Sequence, residues 1–279
     1  YYASRGLGDV YKRQIIYRYI LGGRTMLNIV EVRNVKIGEG IPKITVPVVG
    51  TNNVELIEEV KGLKGIKLDI VEWRVDFYEN VEDIEKVKEI LGEIRKVLAD
   101  TPILFTFRTK KEGGEREVPV EYYVKLNCEI AKTKQVDLVD VELFTGDNYV
   151  SEVVETAHAN GVKVVMSNHD FFKTPAKEEI VSRLTKMTEL KADLPKIAVM
   201  PQSEADVLTL LCATNEMKQK YADQPIITMS MAGMGVISRL AGECFGSVLT
   251  FGAAKKASAP GQIAVEDLNT VLQILHKSI

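Results

Sequence analysis

One lysine lies inside a segment that is otherwise apolar. Lys196 occurs in LPKIAVMP, and a lysine is rarely buried unless its amine has a partner or a use. Burial disfavours the ammonium form, and the free amine can then attack a carbonyl carbon. The alternative is a lysine at the start of a strand that points to solvent, and the preceding Pro195 is compatible with it. Lys196 is therefore a candidate nucleophile with one structural alternative.

One histidine has a position suited to proton transfer. His169 follows the apolar segment VKVVMSN, between Asn168 and Asp170. An imidazole exchanges protons near neutral pH. His158 and His276 lie in predicted helices, where a structural role is expected. His169 is therefore the candidate acid–base residue, although a lone histidine is weak evidence by itself.

Charged residues also recur at strand spacing. Glu72, Arg74 and Asp76 are two residues apart in DIVEWRVDFY, so a strand would place all three on one face. Unpaired charges inside a protein cost several kcal/mol. We therefore expect either a ligand site or a cluster of ions that satisfy one another.

Other polar residues follow later apolar segments. Arg108 ends the third predicted strand and Glu112 lies in the loop after it; an arginine there suits a carboxylate or vicinal oxygens. Arg239 lies early in a predicted helix, where it could hold an anion. Ser258 and Gln262 lie in a loop that could close over a ligand. The alternatives are a solvated loop and an exposed helix arginine.

Eight short apolar segments must position these residues, and amphipathic segments separate them. The predicted strands are KITVPVVG, IKLDIVEWRV, PILFTFR, VDLVDVEL, VKVVMSN, PKIAVMP, PIITMSM and GSVLTFG. Evenly spaced strand–helix units predict the α/β class and a (β/α)8 TIM barrel. A doubly wound sheet is the alternative, but no Gly-rich phosphate loop follows the first strand. In a barrel, chemistry occurs at the carboxyl ends of the strands.

The N-terminal region has two parts. LNIVEVRNVKIGEG predicts a β-hairpin, with its turn at Gly38–Gly40, that closes the bottom of the barrel. Residues 1–25 contain five basic residues and one acidic residue, and we interpret them as an appended leader. Residues 26–279 are predicted to form a single catalytic barrel domain that begins at Met26.

Composition limits the classes of partner. Hydrophobic residues make up 46% of the chain and the net charge is −3, so neither nucleic acid nor a membrane surface is expected as the main partner. Three widely separated cysteines fit a reducing compartment. No cluster of histidine and cysteine has the spacing of a zinc site.

Eight motifs together resemble the type I 3-dehydroquinate dehydratase family. They are EWR at 72–74, LFTFRTKKEGGE at 104–115, ELFTGD at 142–147, MSNHDF at 166–171, PKIAVMPQ at 195–202, ITMSM at 227–231, GVISRLAGE at 235–243 and FGAAKKASAPGQ at 251–262. The resemblance extends from Met26 to the C-terminus. It implies a cytoplasmic, homodimeric barrel that converts 3-dehydroquinate to 3-dehydroshikimate and water without a metal or cofactor, in the shikimate pathway to chorismate and the aromatic amino acids.

The resemblance also implies residue roles. Lys196 would form the Schiff base, His169 would act as acid and base, and Glu112 would support the histidine. Substrate contacts are expected from Glu72, Arg74, Arg108, Arg239, Ser258 and Gln262. The roles of Asp76, Asp140 and Glu142 stay open: they could balance Arg74 and Lys196, or tune the lysine.

Two other functions remain compatible with the residues. A class I aldolase on the same barrel would also use a strand lysine, but would need a phosphate-binding Gly loop near the last two strands, which ASAPGQ matches weakly. A non-catalytic barrel that senses a shikimate-type acid would bind the substrate without converting it.

Overall fold

Parallel strands alternate with helices in the computed structural model, which describes residues 28–221, 225–254 and 261–279. The strands are β1 (Val30–Val32), β2 (Val35–Ile37), β3 (Lys43–Val48), β4 (Ile70–Arg74), β5 (Ile103–Thr106), β6 (Leu138–Glu142), β7 (Lys163–Asp170), β8 (Leu194–Val199), β9 (Ile227–Ser230), β10 (Leu249–Ala253) and β11 (Ile263–Ala264). The helices are α1 (Asn53–Lys61), α2 (Ile84–Leu98), α3 (Val120–Lys132), α4 (Asp147–Ala159), α5 (Lys177–Glu189), α6 (Glu204–Glu216), α7 (Val236–Leu240), α8 (Gly242–Phe245) and α9 (Val265–Ser278). The segments predicted as barrel strands correspond to β3 to β10.

Strands β3 to β10 form a closed parallel barrel. Neighbours in the sequence pair side by side from β3 to β9, and β10 pairs with β3. Between β9 and β10 the ring closes through a parallel bridge from Ile226 to Ser247. The Val248 N–H also donates to the Ile226 carbonyl at 3.0 Å. The predicted (β/α)8 barrel is confirmed, and closure excludes an open, doubly wound sheet.

Alternation along the strands produces two apolar cores. Val71 and Trp73 of β4 face outward and pack in the core beneath the helices. The residues that face inward at the amino ends of the strands fill the lower barrel; among them are Ile70, Leu104, Leu138, Val165, Leu194, Ile227 and Leu249. Full burial of such a side chain contributes roughly 1.5–3 kcal/mol. These buried side chains form an apolar floor beneath the carboxyl half of the barrel.

The N-terminal hairpin closes this floor, as predicted, but its turn lies elsewhere. β1 and β2 pair antiparallel and are joined by Arg33–Asn34, so the turn predicted at Gly38–Gly40 was wrong. Arg33 adopts the left-handed φ of 51°. Its Nε donates to Asp137 Oδ1 at 2.7 Å, which ties the turn to the chain just before β6. Ile37 of the hairpin is buried in the lower core.

The strand–helix unit that begins with β9 differs from the predicted pattern of one helix after each strand. One helix was predicted around Arg239, but the chain forms the two short helices α7 and α8 there. A Cβ at Gly242 would lie 2.6 Å from the Ser247 carbonyl oxygen, so the backbone passes too close for a larger residue.

Among the residues that the structure describes, no helix is both long and apolar enough to span a membrane.

Candidate active site

The inward-facing residues change from apolar to polar above the floor. The next layer toward the carboxyl ends includes Glu72, Thr106, Asp140, Ser167 and Lys196, all of which are buried. A cavity above and beside them is lined by Glu72, Arg74, Arg108, Glu112, Gly113, His169, Phe171, Lys196, Ala198, Met229, Met231, Arg239, Phe251 and Gln262. The predicted site residues that the structure describes therefore converge at the carboxyl mouth of the barrel.

Lys196 points into the barrel rather than to solvent. Its side chain is 4% exposed, and Nζ lies 3.8 Å from Asp140 Oδ2. Nζ also lies 4.5 Å from the centroid of the Phe251 ring. Burial lowers the pKa of the Lys196 amine, and the carboxylates of Asp140 and Glu72 oppose that effect. The amine therefore loses its proton more readily than an ordinary lysine.

His169 lies one inward layer above Lys196. In the pairing of β7 with β8, Ser167 is opposite Lys196 and His169 is opposite Ala198. Burial lowers the pKa of His169 well below its usual range, and the nearby Arg108 and Lys196 add to the effect. The imidazole is therefore neutral at neutral pH and able to accept a proton.

Glu112 fixes the orientation of this imidazole. Its Oε2 lies 2.9 Å from His169 Nδ1 and accepts the His169 backbone N–H at 2.9 Å. Its Oε1 accepts the side-chain amide of Asn168 at 3.1 Å. A carboxylate that receives donors on both oxygens favours the tautomer with the proton on Nδ1, which leaves Nε2 as the base.

Two glycines allow the loop after β5 to place Glu112 beside His169. Gly113 has a φ of +84°, and a Cβ there would lie 2.3 Å from the Phe171 ring. A Cβ at Gly114 would lie 1.9 Å from the Arg108 carbonyl oxygen. The loop after β5 can therefore fold back over the mouth of the barrel only with glycine at these positions.

Arg74 and Asp76 form a buried bidentate pair. Arg74 Nε and Nη2 donate to the two oxygens of Asp76, each at 2.8 Å. Asp76 also accepts the backbone N–H groups of Arg108 at 3.3 Å and of Glu115 at 3.1 Å. Asp76 thus positions Arg74 and fastens the start of the neighbouring loop, which gives it a role that the sequence left open.

Arg108 lies within a group of carboxylates. Its Nη2 is 2.8 Å from Asp140 Oδ1, and its Nη1 is 2.8 Å from Glu142 Oε1 and 3.7 Å from Glu112 Oε2. Nη1 also donates to Ser167 Oγ at 2.9 Å. These carboxylates hold the pKa of Arg108 well above its ordinary value despite burial. Asp140 and Glu142 therefore balance Arg108, while the second oxygen of Asp140 faces Lys196.

Arg239 lies in a different environment. Its Nη1 contacts the Met229 sulfur at 3.5 Å, and burial lowers its pKa to about 10. Gln262 lines the same cavity just before β11, which pairs with β10. Ser258 and the middle of the predicted lid, like residues 1–25, lie outside the described residues.

The two other histidines have surface partners, as expected. His158 Nε2 lies 2.7 Å from Asp193, and His276 Nδ1 lies 2.7 Å from Glu243. Within the described ranges, no group of three or more His, Cys, Asp or Glu side chains is arranged to hold a metal ion.

Fold and site together define a (β/α)8-barrel protein with a buried amine and an imidazole at the carboxyl mouth. A model of the type I 3-dehydroquinase family matches residues 44–279. The chain is 68% identical over 254 residues to the 3-dehydroquinate dehydratase of Clostridium botulinum (strain Eklund 17B / Type B), an alignment that spans 91% of this chain and 100% of that protein.

Solved structures of similar proteins point to the same family. The type I 3-dehydroquinate dehydratase of Clostridium difficile, solved with covalently modified comenic acid, is 64% identical with a TM-score of 0.89, over 91% of this chain and 100% of that one. The 3-dehydroquinate dehydratase of Geobacillus kaustophilus is 37% identical with a TM-score of 0.88, over 91% and 99%. The chain belongs to the type I 3-dehydroquinase family, as its motifs predicted.

Proposed function

We propose that this chain dehydrates 3-dehydroquinate to 3-dehydroshikimate through a Schiff base on Lys196. Membership of the family and the 3-dehydroquinate dehydratases that it resembles support the reaction, a hydro-lyase step of the shikimate pathway. The observation that carries the residue assignment is the buried amine of Lys196, whose pKa is lowered, beside a neutral imidazole. An amine in that environment can act as a nucleophile near neutral pH.

The chemistry follows from these two groups. The amine of Lys196 adds to the C3 ketone and a water leaves, so that an iminium forms. The iminium draws electrons and acidifies the C2 hydrogens, and Nε2 of His169 removes one of them to give an enamine. The enamine expels the C1 hydroxyl, which takes the proton from the imidazolium and departs as water. Hydrolysis of the conjugated iminium releases the product and restores the amine.

The remaining polar residues of the cavity would hold the substrate. Arg239 is suited to the substrate carboxylate, because it lines the cavity and a guanidinium can donate two parallel hydrogen bonds to a carboxylate. Glu72, Arg74 and Arg108 would contact the ring hydroxyls from the opposite side of the cavity. Gln262, together with Ser258, would close over the ligand. Positioning of this kind can supply several kcal/mol of barrier lowering.

The wider setting is also part of the proposal. We expect residues 26–279 to act as one catalytic domain in a homodimer in the cytoplasm, without a metal or cofactor. The family resemblance and the three widely separated cysteines support this setting.

Turnover is tested by the absorbance of the conjugated enone after 3-dehydroquinate is added. Lys196→Ala is expected to abolish the signal, because Lys196 carries the amine that the described lining of the cavity offers for the iminium. His169→Ala should leave a slow enzyme that still forms an adduct. Full activity in Lys196→Ala would refute the covalent route, and binding without enone formation by the wild type would indicate a sensor rather than an enzyme.

A further inference from the structure

A chain of hydrogen bonds runs from helix α5 to the imidazole of His169. Arg183 Nη1 donates to Asn168 Oδ1 at 2.7 Å. Asn168 Nδ2 donates to Glu112 Oε1 at 3.1 Å. Glu112 Oε2 in turn faces His169 Nδ1 at 2.9 Å. Arg183 thereby reaches the acid–base residue from outside the barrel, through side chains that do not touch the reacting atoms.

The first bond of this chain determines the direction of the others. A guanidinium can only donate, so Asn168 must turn its carbonyl oxygen toward Arg183. The amide nitrogen of Asn168 then faces Glu112 and can only donate to it. Glu112 Oε1 must therefore be an acceptor. A protonated carboxyl that offered its O–H to Asn168 would meet a donor instead of an acceptor.

Arg183 is itself held in place. Its Nη2 pairs with Glu179 one turn earlier on α5. Its guanidinium lies 5.4 Å from the centroid of the Phe144 ring, and Nη1 lies 4.0 Å from Asp170 Oδ2. These contacts leave little freedom for the guanidinium to move away from Asn168, which is buried.

We propose that Arg183 and Asn168 are positioning residues that keep Glu112 as a carboxylate and so hold the proton of His169 on Nδ1. The assignment rests on the proposed function, since it presumes that Nε2 of His169 is the base. It extends the polar machinery beyond the residues that line the cavity.

The surroundings of Glu112 explain why such a device is needed. Burial and then the Glu142 carboxylate raise the pKa of Glu112, and Asp140 adds a smaller increase. Arg108 and the hydrogen bond from Asn168 act in the opposite direction. His169 on β7 is a further titratable neighbour of Glu112. Without the Asn168 bond, Glu112 would take up a proton at higher pH and would no longer require the Nδ1 proton of His169.

The test compares the pH dependence of kcat in four purified full-length variants. Arg183→Met removes the donor and frees the amide of Asn168 to turn. We expect the acid limb of kcat to move up by about one pH unit, with a roughly tenfold loss on that limb and little change in KM, because a hydrogen bond to a charged group is lost. Asn168→Asp replaces the donor with an acceptor and should shift the limb at least as far.

Two further variants serve as controls. Arg183→Lys keeps a head group that only donates and should restore most of the wild-type profile. Glu179→Gln removes the other partner of Arg183 on α5 but keeps the bond to Asn168, so its profile should match the wild type. Asn168→Asp decides the question alone if Arg183→Met does not fold.

An unshifted acid limb in both Arg183→Met and Asn168→Asp would overturn the proposal, even if kcat fell, because a loss of structure alone lowers kcat without moving the limb. The wild-type assay separates this failure from failure of the proposed function. A wild type that makes no enone refutes the function, whereas an active wild type with unshifted variants refutes only the positioning roles.

Discussion

The two sides of the barrel mouth differ in the residues that surround buried charges: one side is ionic and the other is apolar. The side formed by β4 to β7 contains two arginines and three carboxylates in direct contact: Arg74, Asp76, Arg108, Asp140 and Glu142. We call these five residues the ionic wall. The side formed by β8 to β10 presents Ala198, Met229, Met231 and Phe251, and we call these four residues the apolar wall.

The pKa values of the buried cations differ between the two walls. In the ionic wall the pKa of Arg108 lies well above its ordinary value, because carboxylates surround it. Beside the apolar wall, burial lowers the pKa of Arg239 to about 10 and also lowers that of Lys196. Groups with pKa values perturbed by burial in a cleft are candidates for function. The comparison indicates that carboxylates fix the arginines of the ionic wall in place, while the proposed nucleophile Lys196 and the proposed carboxylate ligand Arg239 contact the apolar wall.

The largest effect is expected from Arg108→Met. The substitution leaves Asp140, Glu142 and Glu112 buried without their shared cation, which should lower the free energy of unfolding by roughly 3–5 kcal/mol. Urea unfolding monitored by circular dichroism measures it. Lys132→Met, which breaks an exposed pair with Glu129, is the control and should leave the midpoint nearly unchanged. Equal midpoints for the two variants would mean that the ionic wall is not a scaffold.

Arg239→Met should change substrate binding more than it changes stability, in contrast to Arg108→Met. Because burial disfavours the charged form of Arg239 and lowers its pKa, replacement by an apolar side chain of similar length should cost less than about 1 kcal/mol of stability. The KM for 3-dehydroquinate should rise about 10- to 100-fold, since a charged hydrogen bond to the carboxylate is worth roughly 1.5–3 kcal/mol. Steady-state kinetics and urea unfolding check both parts. A large loss of stability with an unchanged KM would place Arg239 with the scaffold instead.

Much of the fold could be predicted because the barrel repeats one pattern. Every predicted barrel strand is present, and Glu72 and Arg74, predicted on one face of a strand, both line the cavity. Asp76 was predicted on the same strand face but lies beyond the end of β4. The turn at Arg33–Asn34 was missed because a non-glycine residue takes a left-handed φ there, held by a contact with the distant Asp137. Glycine spacing alone could not show that contact.

The partners within the site were harder to predict. Asp140 of β6 contacts Arg108, which lies two residues beyond β5, and this contact depends on the register of β5 and β6, which sequence spacing does not give. Arg183 is 15 residues from Asn168 on a helix outside the barrel. The only signal was the position of Asn168 next to His169. Short-range patterns therefore found the residues that face the cavity and missed those that hold them.

The most direct test of the account measures how the rate of hydride-trapped adduct formation depends on pH. With 3-dehydroquinate and cyanoborohydride, peptide mapping should find the label on Lys196, and the rate should reach half its maximum at a pH below 10.5, the ordinary pKa of a lysine. Asp140→Asn should move that midpoint lower still, because the Asp140 carboxylate raises the pKa of Lys196. A label on another lysine, or a midpoint at or above 10.5, would contradict the central claim that burial prepares this amine for attack.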